Sequence, residues 1–292
     1  MFKLPTEKTP ILYQGITTEM GAVHAERALA YGTHIVAGTS RDTSVKEYNG
    51  IPVFRTVREA VRKTKPQISV VFSTPTRALQ DVEDAIRAKI PVVVCTTERI
   101  PLHDILKMIT YAKKNNVLLI GPSSPGIVRV GRCLAGSIPA HLFPRGNVGV
   151  IGRSSSLIYE AVQQLSEVNL GISACVSLGA AQLVGTSFAM VLDAFLADKE
   201  TSAILIIGQL SGNFEQELAV AYKKSRRKKP LFVYIPGQTL PEALYVPLLG
   251  ADLAIPQEII AEKKSALDKA KAIWISGADE LGKSIQNLLE EP

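Results

Sequence analysis

Short apolar runs alternate with longer segments of helical periodicity along the chain. The apolar runs are rich in Val, Ile and Leu, as strands that are buried on both faces usually are. Strands that alternate with helices in this way indicate βαβ units and parallel sheets. The pattern therefore predicts an α/β protein.

The predicted elements fall into two groups. In the first group we predict strands over 11–14, 33–37, 52–54, 68–72, 91–95 and 117–120, and helices over 22–31, 56–63, 79–88 and 103–115. In the second we predict strands over 147–151, 172–177, 203–207, 230–235 and 272–275, and helices over 157–168, 188–197, 212–224, 256–271 and 278–289. Between them glycine and proline interrupt the periodicity, which marks a linker over 131–146. We therefore predict two doubly wound domains, at 1–130 and 147–292.

The composition suits this class and adds a basic charge. Hydrophobic residues make up 46% of the chain and aromatic residues only 6%, and the formal net charge is +6. Much of the excess positive charge lies in two runs, at 223–229 and 263–271. A solvated helix face explains such runs, which would also attract anionic ligands such as phosphates. Nucleic acid would bind this charge weakly and with a steep salt dependence, so we predict no specific nucleic-acid partner.

The three cysteines, Cys95, Cys133 and Cys175, are far apart and form no CxxC pair. They predict neither a disulfide framework nor a metal site, which favours a reducing compartment. The N-terminus has no apolar stretch typical of a secretory signal, and no apolar run is long enough to cross a bilayer. We expect a cytoplasmic protein with no membrane partner, and an organelle matrix stays open as an alternative.

The first candidate ligand site is the turn between the first strand and the first helix. Gly15, Thr17 and Gly21 lie there, where a doubly wound sheet holds phosphate-bearing ligands. Thr18 takes the place of the middle glycine of a dinucleotide fingerprint. Both a phosphate site and a simple tight turn explain the pattern.

Polar turns also follow the other predicted strands of the first group. Ser40 and Arg41 follow the second strand, where an NAD enzyme would tend to have an acidic residue. They suit a phosphate instead, on NADP or at the 3′ position of coenzyme A, although an exposed loop arginine remains the alternative. Further polar turns after the third, fourth and fifth buried strands contain Ser73, Pro75, Thr96, Glu98 and Ser123. Their convergence on one rim of the sheet favours a binding site.

Several segments match the pattern of one known family. They include Gln14-Gly-Ile-Thr17, His24-Ala-Glu26, Gly50-Ile-Pro-Val-Phe54, Thr97-Glu-Arg-Ile-Pro101, Ile120-Gly-Pro122, Arg153-Ser154 and Tyr159-Glu-Ala161. From about residue 9 to its end the chain resembles succinyl-CoA synthetase α subunits. The resemblance implies an N-terminal Rossmann-like CoA-binding domain, a C-terminal flavodoxin-like domain, and an ATP-grasp β subunit as the partner that binds the nucleotide.

The resemblance also implies a chemistry and a set of site residues. In the family a histidine takes phosphate from a nucleotide and passes it to a carboxylate, after which CoA attacks the acyl phosphate. The implied phosphate-binding residues here are Arg153, Ser154, Ser155 and Ser156. The implied CoA-binding residues are Gly15, Thr17, Thr18, Glu19, Met20, Gly21, Ser40, Arg41, Thr43, Ser73, Pro75, Thr96, Glu98 and Ser123. Thr43 stands at a family lysine, whose charge Arg41 could supply.

The chain departs from the family at the reaction centre. Leu248 stands where the family has the phosphohistidine, and Gln209 stands where it has the supporting glutamate. Leucine has no lone pair to accept a phosphoryl group, and a neutral amide cannot act as a base. The family's glycine-rich segments at 179–183 and 254–258 are also replaced. No catalytic residue is therefore assigned.

Three functions follow as alternatives. The first is binding of CoA or an acyl-CoA without phosphohistidine-dependent ligase activity. The second is an active acyl-CoA ligase that works by a modified mechanism, with a β subunit and ATP or GTP. The third is an NADP-binding oxidoreductase. A heterodimer with an ATP-grasp subunit and a homo-oligomer both stay open.

Overall fold

Two sheets organise the chain. The computed structural model describes residues 2–241, 246–247 and 253–290, and the following ranges refer to these residues. The strands are β1 (Ile11–Gln14), β2 (Ile35–Thr39), β3 (Glu47–Tyr48), β4 (Ile51–Phe54), β5 (Ile68–Val71), β6 (Val92–Cys95), β7 (Leu118–Ile120), β8 (Gly126–Arg129), β9 (Cys133–Gly136), β10 (Arg145–Gly152), β11 (Ile172–Ser177), β12 (Ala203–Ile207), β13 (Leu231–Tyr234), β14 (Val246–Pro247), β15 (Leu253–Ala254) and β16 (Ile273–Trp274). The helices are α1 (Glu19–Ala30), α2 (Val57–Thr64), α3 (Ala78–Arg87), α4 (Leu102–Lys114), α5 (Ser155–Glu167), α6 (Phe188–Ala197), α7 (Phe214–Lys224), α8 (Pro256–Lys269) and α9 (Leu281–Glu290).

The first sheet has the strand order β3-β4-β2-β1-β5-β6-β7. All neighbouring strands are parallel except β3, which pairs antiparallel with β4. The chain order reverses between β1 and β5, and ligands bind in the crevice at such a switch point. This order confirms the predicted Rossmann-like domain.

The second sheet has the order β16-β13-β12-β10-β11-β8-β9. Its five parallel strands follow the flavodoxin-like order, with β11 and β10 before β12, β13 and β16. This confirms the predicted flavodoxin-like fold. A small separate pair is formed by β14 and β15.

A β-hairpin, β8 and β9, extends the second sheet where the sequence predicts a linker. β8 pairs antiparallel with β11, and β9 pairs with β8. The predicted linker 131–146 therefore contains β9, a 3-10 turn at Ala140–Leu142 and the start of β10. The glycines of this segment interrupt the apolar pattern, so the sequence did not predict the hairpin. The same glycines allow it to form, because a Cβ at Gly136 would overlap the Pro125 carbonyl.

The hairpin also joins the two halves of the molecule. The Leu134 carbonyl accepts hydrogen bonds from the Tyr13 hydroxyl at 3.2 Å and the Thr33 hydroxyl at 3.1 Å. The Leu134 amide donates to the Thr33 hydroxyl at 2.8 Å. Because all three residues are buried, the β9 backbone is held firmly against the first domain.

Two helices begin earlier than the sequence predicts because their first turns are capped. The Thr18 hydroxyl accepts from the Gly21 amide, so α1 begins at Glu19 instead of residue 22. The Ser154 hydroxyl accepts from the Leu157 amide, so α5 begins at Ser155 instead of residue 157. Such caps satisfy amides that lack a partner within the helix. None of the helices in the described ranges has the length and apolarity to span a membrane.

Candidate functional site

An open cleft of about 280 Å³ lies at the C-terminal ends of β1, β2, β4 and β5. It coincides with the switch point of the first sheet, where β1 and β5 are neighbours. Among the residues predicted to bind CoA, those that line it are Gly15, Thr17, Thr18, Ser40, Arg41 and Ser73. Its other lining residues are Gln14, Thr39, Asp42, Arg55, Thr56, Val57, Phe72, Thr74, Arg77, Asp81 and Asp84.

The turn after β1 shapes one wall of the cleft. Gly15 has φ +74°, and a Cβ there would overlap the Phe72 carbonyl oxygen at the end of β5. A Cβ at Gly21 would overlap the Gly15 carbonyl, so both glycines are required by the backbone packing. The turn brings the Thr17 hydroxyl within 2.6 Å of the Ser40 hydroxyl, which links the ends of β1 and β2.

Three helices begin at the cleft. Thr18 caps α1 and Thr56 caps α2, whose Glu59 amide donates to the Thr56 hydroxyl at 3.2 Å. Arg77 occupies the N-cap position of α3, without a side-chain cap hydrogen bond. Helix N-termini carry partial positive charge and unpaired amides, which favour phosphate groups.

Three arginines, Arg41, Arg55 and Arg77, add full charges to the same cleft. Arg41 and Arg55 are exposed at the ends of β2 and β4, while Arg77 follows β5. The cleft thus offers an anion cationic groups on both sides of β1, an arrangement suited to a ligand with several phosphates.

Aspartates also line the cleft, and each has partners within the protein. The Asp42 carboxylate accepts from the Ser44 hydroxyl at 2.6 Å and from the Ser44 amide at 2.9 Å, and these bonds lower the pKa of Asp42. Asp84 accepts from the Gln80 side chain. Burial raises the pKa of Asp81, against the opposing effects of the Ser73 hydroxyl and Arg77.

The other predicted CoA-binding residues lie outside this lining. Glu19, Met20 and Thr43 are exposed, and Gly21 packs under the turn. Pro75 belongs to the loop before α3, and Glu98 is exposed after β6. The Thr96 hydroxyl donates to the Val71 carbonyl and the Ser123 amide to the Thr97 carbonyl, bonds that fix the turns after β6 and β7.

The sequence reasoning missed Arg55, Thr56, Arg77, Asp81 and Asp84. Thr56 with Glu59 has the spacing of a capping box, which could have marked the start of α2 at the rim. Arg55 precedes that cap directly. The other three lie at or after the start of a helix, where charged residues are usual and give no signal of their own.

The rim of the second sheet holds the predicted phosphate residues. Arg153 is buried, and its guanidinium donates to the Gly179 carbonyl at 3.2 Å and the Ala181 carbonyl at 2.5 Å. Its guanidinium carbon lies 5.2 Å from the Phe214 ring centroid. Burial lowers the pKa of Arg153, and the nearby Glu215 charge opposes this effect. The Arg153 guanidinium thus stabilises the loop after β11. The other polar groups at this rim belong to the start of α5, at Ser154, Ser155 and Ser156.

The loop after β11 is bonded to the turn after β7. The Gly121 amide donates to the Leu178 carbonyl at 3.1 Å, and the Gly185 amide donates to the Gly121 carbonyl at 2.9 Å. The Ala180 amide donates to the Ser123 carbonyl at 3.1 Å. The C-terminal rims of the two sheets are therefore joined through their backbones.

Gln209 follows β12 and is held by a buried ion pair. Lys263 and Glu215 have fully buried side chains, 2.5 Å apart. Glu215 accepts from the Gln209 amide at 3.0 Å, and Lys263 donates to the Gln209 carbonyl at 2.9 Å. The Gln209 side chain bonds the Ser211 hydroxyl. Leu248, the other residue at the predicted reaction centre, lies outside the described residues.

All four histidines of the chain precede β10. His24 is buried in α1, with its ring centroid 5.2 Å from that of Phe72. His34 and His141 are exposed before the N-terminal ends of β2 and β10, opposite the rims. His103 is exposed in α4. The described cleft lining contains no histidine.

Comparison with known proteins agrees with this architecture. A CoA binding domain model matches residues 6–99, and a model of the succinyl-CoA ligase like flavodoxin domain matches residues 145–286. Succinate–CoA ligase [ADP-forming] subunit alpha of Aquifex aeolicus is 37% identical over 289 residues, covering 98% of this chain and 94% of its own. Subunit alpha 2 of Archaeoglobus fulgidus is 38% identical over 266 residues, covering 91% of this chain and 92% of its own.

Solved structures share the fold at lower identity. ATP citrate lyase of Methanosaeta concilii, in complex with (3S)-citryl-CoA, has a TM-score of 0.79 at 20% identity. It covers 98% of this chain, which spans 50% of that longer chain. A dinucleotide-forming acetyl-coenzyme A synthetase of Ca. Korarchaeum cryptofilum has a TM-score of 0.79 at 18% identity, over 96% of this chain and 61% of its own. The near full-length relatives show that the chain belongs to the family of succinate–CoA ligase α subunits, and the match to the CoA binding domain model shows that its first domain binds CoA.

Proposed function

We propose that the chain binds CoA or an acyl-CoA in the cleft of the first domain and does not form thioesters through a phosphohistidine. The main support for CoA binding is that three helix N-termini and three arginines lie together at the switch point of the first sheet. CoA carries a diphosphate and a 3′-phosphate, and this cleft offers such a polyanion both amides and guanidinium groups.

The second part rests on the absence of a suitable nucleophile. Phosphoryl transfer through histidine needs an imidazole nitrogen at the reaction centre. Leu248 occupies the family position, and all four histidines precede β10 in the chain. The Gln209 side chain is not ionisable. The Nε and Nη2 atoms of Arg153 donate to backbone carbonyls.

A nucleotide would reach this protein only through a partner subunit. The relatives are named as α subunits, which supports an ATP-grasp β subunit as the partner, with a homo-oligomer as the alternative.

Calorimetric titration of CoA and succinyl-CoA into the purified chain tests the binding. We expect saturable binding that Arg41→Ala weakens by about tenfold or more, because a charge-assisted phosphate contact is lost. Exchange of Arg58, an exposed arginine of α2 that does not line the cleft, is the matched control. Failure of the wild-type chain to bind CoA at millimolar concentration would refute the proposal.

Phosphorylation from radiolabelled ATP tests the second part. The chain is mixed with a succinate–CoA ligase β subunit, and the Aquifex aeolicus α subunit serves as the positive control. We expect no acid-labile phosphate on the wild-type chain, and a gain of label in a Leu248→His/Gln209→Glu variant. Thioester formation by the wild-type chain would favour the second candidate, an active ligase in which the α5 N-terminus holds phosphate, and Ser154→Ala should then lower its turnover.

A further inference from the structure

Arg77 lies in the cleft with part of its guanidinium unused. Its Nη2 donates to the Asp81 carboxylate at 3.3 Å, and its side chain is 42% exposed. Its Nε is buried and has no acceptor among the described residues. A buried donor of this kind favours an anionic acceptor that enters the cleft.

Asp81 fixes the direction of this arginine. Its carboxylate accepts from the Ser73 hydroxyl at 2.5 Å, so the Oδ2 atom is held from the end of β5 while Oδ1 faces Arg77. The Asp81 carbonyl accepts from the Gln14 side chain at 3.0 Å, which ties the first turn of α3 to the end of β1. The guanidinium is therefore oriented before any ligand arrives, which reduces the entropy lost on binding.

The three arginines of the cleft lie on opposite sides of the Gly15 turn. In the sheet order, Arg55 follows β4 and Arg41 follows β2, whereas Arg77 follows β5 on the other side of β1. Neighbouring strands are about 4.8 Å apart, so the ends of β4 and β5 are about 14 Å apart. A single phosphate cannot contact both sides, but a nucleotide with two anionic positions can.

We propose that Arg77, oriented by Asp81 and Ser73, binds the diphosphate of CoA, while Arg55 beside the start of α2 binds the 3′-phosphate. This inference rests on the proposed binding of CoA in the cleft. The assignment follows from position, because a diphosphate lies at the turn after the first strand and a ribose phosphate lies towards the second, on the side of β1 where β2 and β4 end.

Titration of CoA and dephospho-CoA into single variants tests the assignment. We expect Arg77→Gln to weaken the binding of both ligands by about tenfold or more, since both carry the diphosphate. We expect Arg55→Gln to weaken CoA binding and to leave dephospho-CoA binding unchanged. The matched control is Arg87→Gln on the same helix, where Arg87 pairs with Glu83 at 2.7 Å outside the cleft lining. We expect that control to bind both ligands like the wild type.

A double-mutant cycle tests the positioning by Asp81. Asp81→Asn should weaken CoA binding when Arg77 is present and should not weaken it in the Arg77→Gln background. Arg77→Lys keeps the charge without the planar fork, and we expect intermediate affinity. The lysine variant also serves as the test where the glutamine variant does not fold.

The possible outcomes distinguish the proposed binding of CoA from the proposed role of Arg77. A wild-type chain that does not bind CoA refutes the proposed function itself. A wild-type chain that binds, with Arg77→Gln indistinguishable from Arg87→Gln, overturns only the role of Arg77. Loss of CoA binding with dephospho-CoA binding retained in Arg77→Gln would move Arg77 to the 3′-phosphate and overturn the diphosphate assignment.

Discussion

The two sheets both end in a rim at the C-terminal ends of their parallel strands, but the charged side chains at the two rims have different partners. In the first domain, Arg41 and Arg55 are exposed in the cleft, and the Nε of Arg77 has no acceptor among the described residues. In the second, Arg153 donates to backbone carbonyls and Lys263 is fully buried against Glu215. A cation at the end of a parallel strand therefore indicates a ligand only when its donors remain accessible. Charge in the first rim should govern binding, and charge in the second should govern stability.

The largest effect should come from the buried pair of the second rim. Lys263→Met leaves the Glu215 carboxylate buried and unpaired, which should lower the free energy of unfolding by about 3–5 kcal/mol. Urea denaturation measures this change. A Lys263→Met/Glu215→Leu double variant should recover much of the loss, since it removes both charges. Equal stability of the single variant and the wild type would contradict the assigned role of the pair.

A glycine of the first rim should show a comparably large effect. Gly15→Ala places a Cβ against the Phe72 carbonyl at positive φ, and we expect a loss of at least about 2–3 kcal/mol together with loss of CoA binding. Gly32 is the matched control, because it has φ +87° and no heavy atom within 4 Å of an added Cβ. Gly32→Ala should cost about 1 kcal/mol and leave binding intact. Similar losses in both variants would mean that strain alone, without the overlap, sets the cost.

Exchanging one arginine in each rim gives the sharpest form of the comparison. Arg153→Met removes the donors to the Gly179 and Ala181 carbonyls, and should lower the free energy of unfolding by about 2 kcal/mol. Arg41→Gln should change stability by less than about 0.5 kcal/mol and weaken CoA binding. Thermal unfolding and calorimetry on both variants measure the two effects. The comparison fails if Arg41→Gln is the more destabilising of the two.

The smallest effects should appear as opposite responses to acid. Burial raises the pKa of Asp81, whereas for Asp198 burial is outweighed by hydrogen bonds from Arg129 and Thr201, so its pKa is lowered. The stability that Asp198 contributes is present above its unfolded pKa of 3.8 and is lost as the pH falls through its lower folded value. The stability that Asp81 contributes is present below its unfolded pKa of 3.8 and is lost as the pH rises through its higher folded pKa.

Urea denaturation between about pH 3 and pH 6 tests both signs. Asp198→Asn should make stability less sensitive to acid than in the wild type. Asp81→Asn should make it more sensitive, because the variant lacks the opposing contribution. A reversed order of the two slopes would contradict the pKa directions.

The sequence predicted the sheets well because buried parallel strands are continuous apolar runs, and β1 and β12 have the predicted bounds. The sequence did not predict the hairpin β8 and β9 because glycines interrupt its apolar pattern. Gly131 lies in the turn of the hairpin and Gly126 pairs with Gly136 at its open end, and all three have positive φ. The predicted starts of α1 and α5 were two or three residues too late. Each helix begins where a single hydroxyl, that of Thr18 or Ser154, caps its first turn, and the spacing of apolar residues does not reveal such a cap.

The candidate site was predicted in part, for a related reason. Gly15, Ser40, Arg41 and Ser73 lie in the turns after predicted strands, so topology alone brings them to one rim. Arg77 in the cleft pairs with Asp81 across one helical turn, a contact that the sequence spacing does not distinguish from an ordinary surface pair. The sequence likewise could not predict that the Arg153 side chain points into the protein, because its acceptors are backbone carbonyls of a loop distant in sequence.

The contacts of the hairpin have a consequence for how this chain could be divided or recombined. A cut between residues 130 and 131 would separate β8 from β9 and leave β11 paired with a strand on another fragment. The fragment with the first domain would carry β8 as an unprotected edge, a known hazard for aggregation. Recombination between relatives should therefore preserve residues 126–136 together with Tyr13 and Thr33, so the inherited unit crosses the border between the two folds.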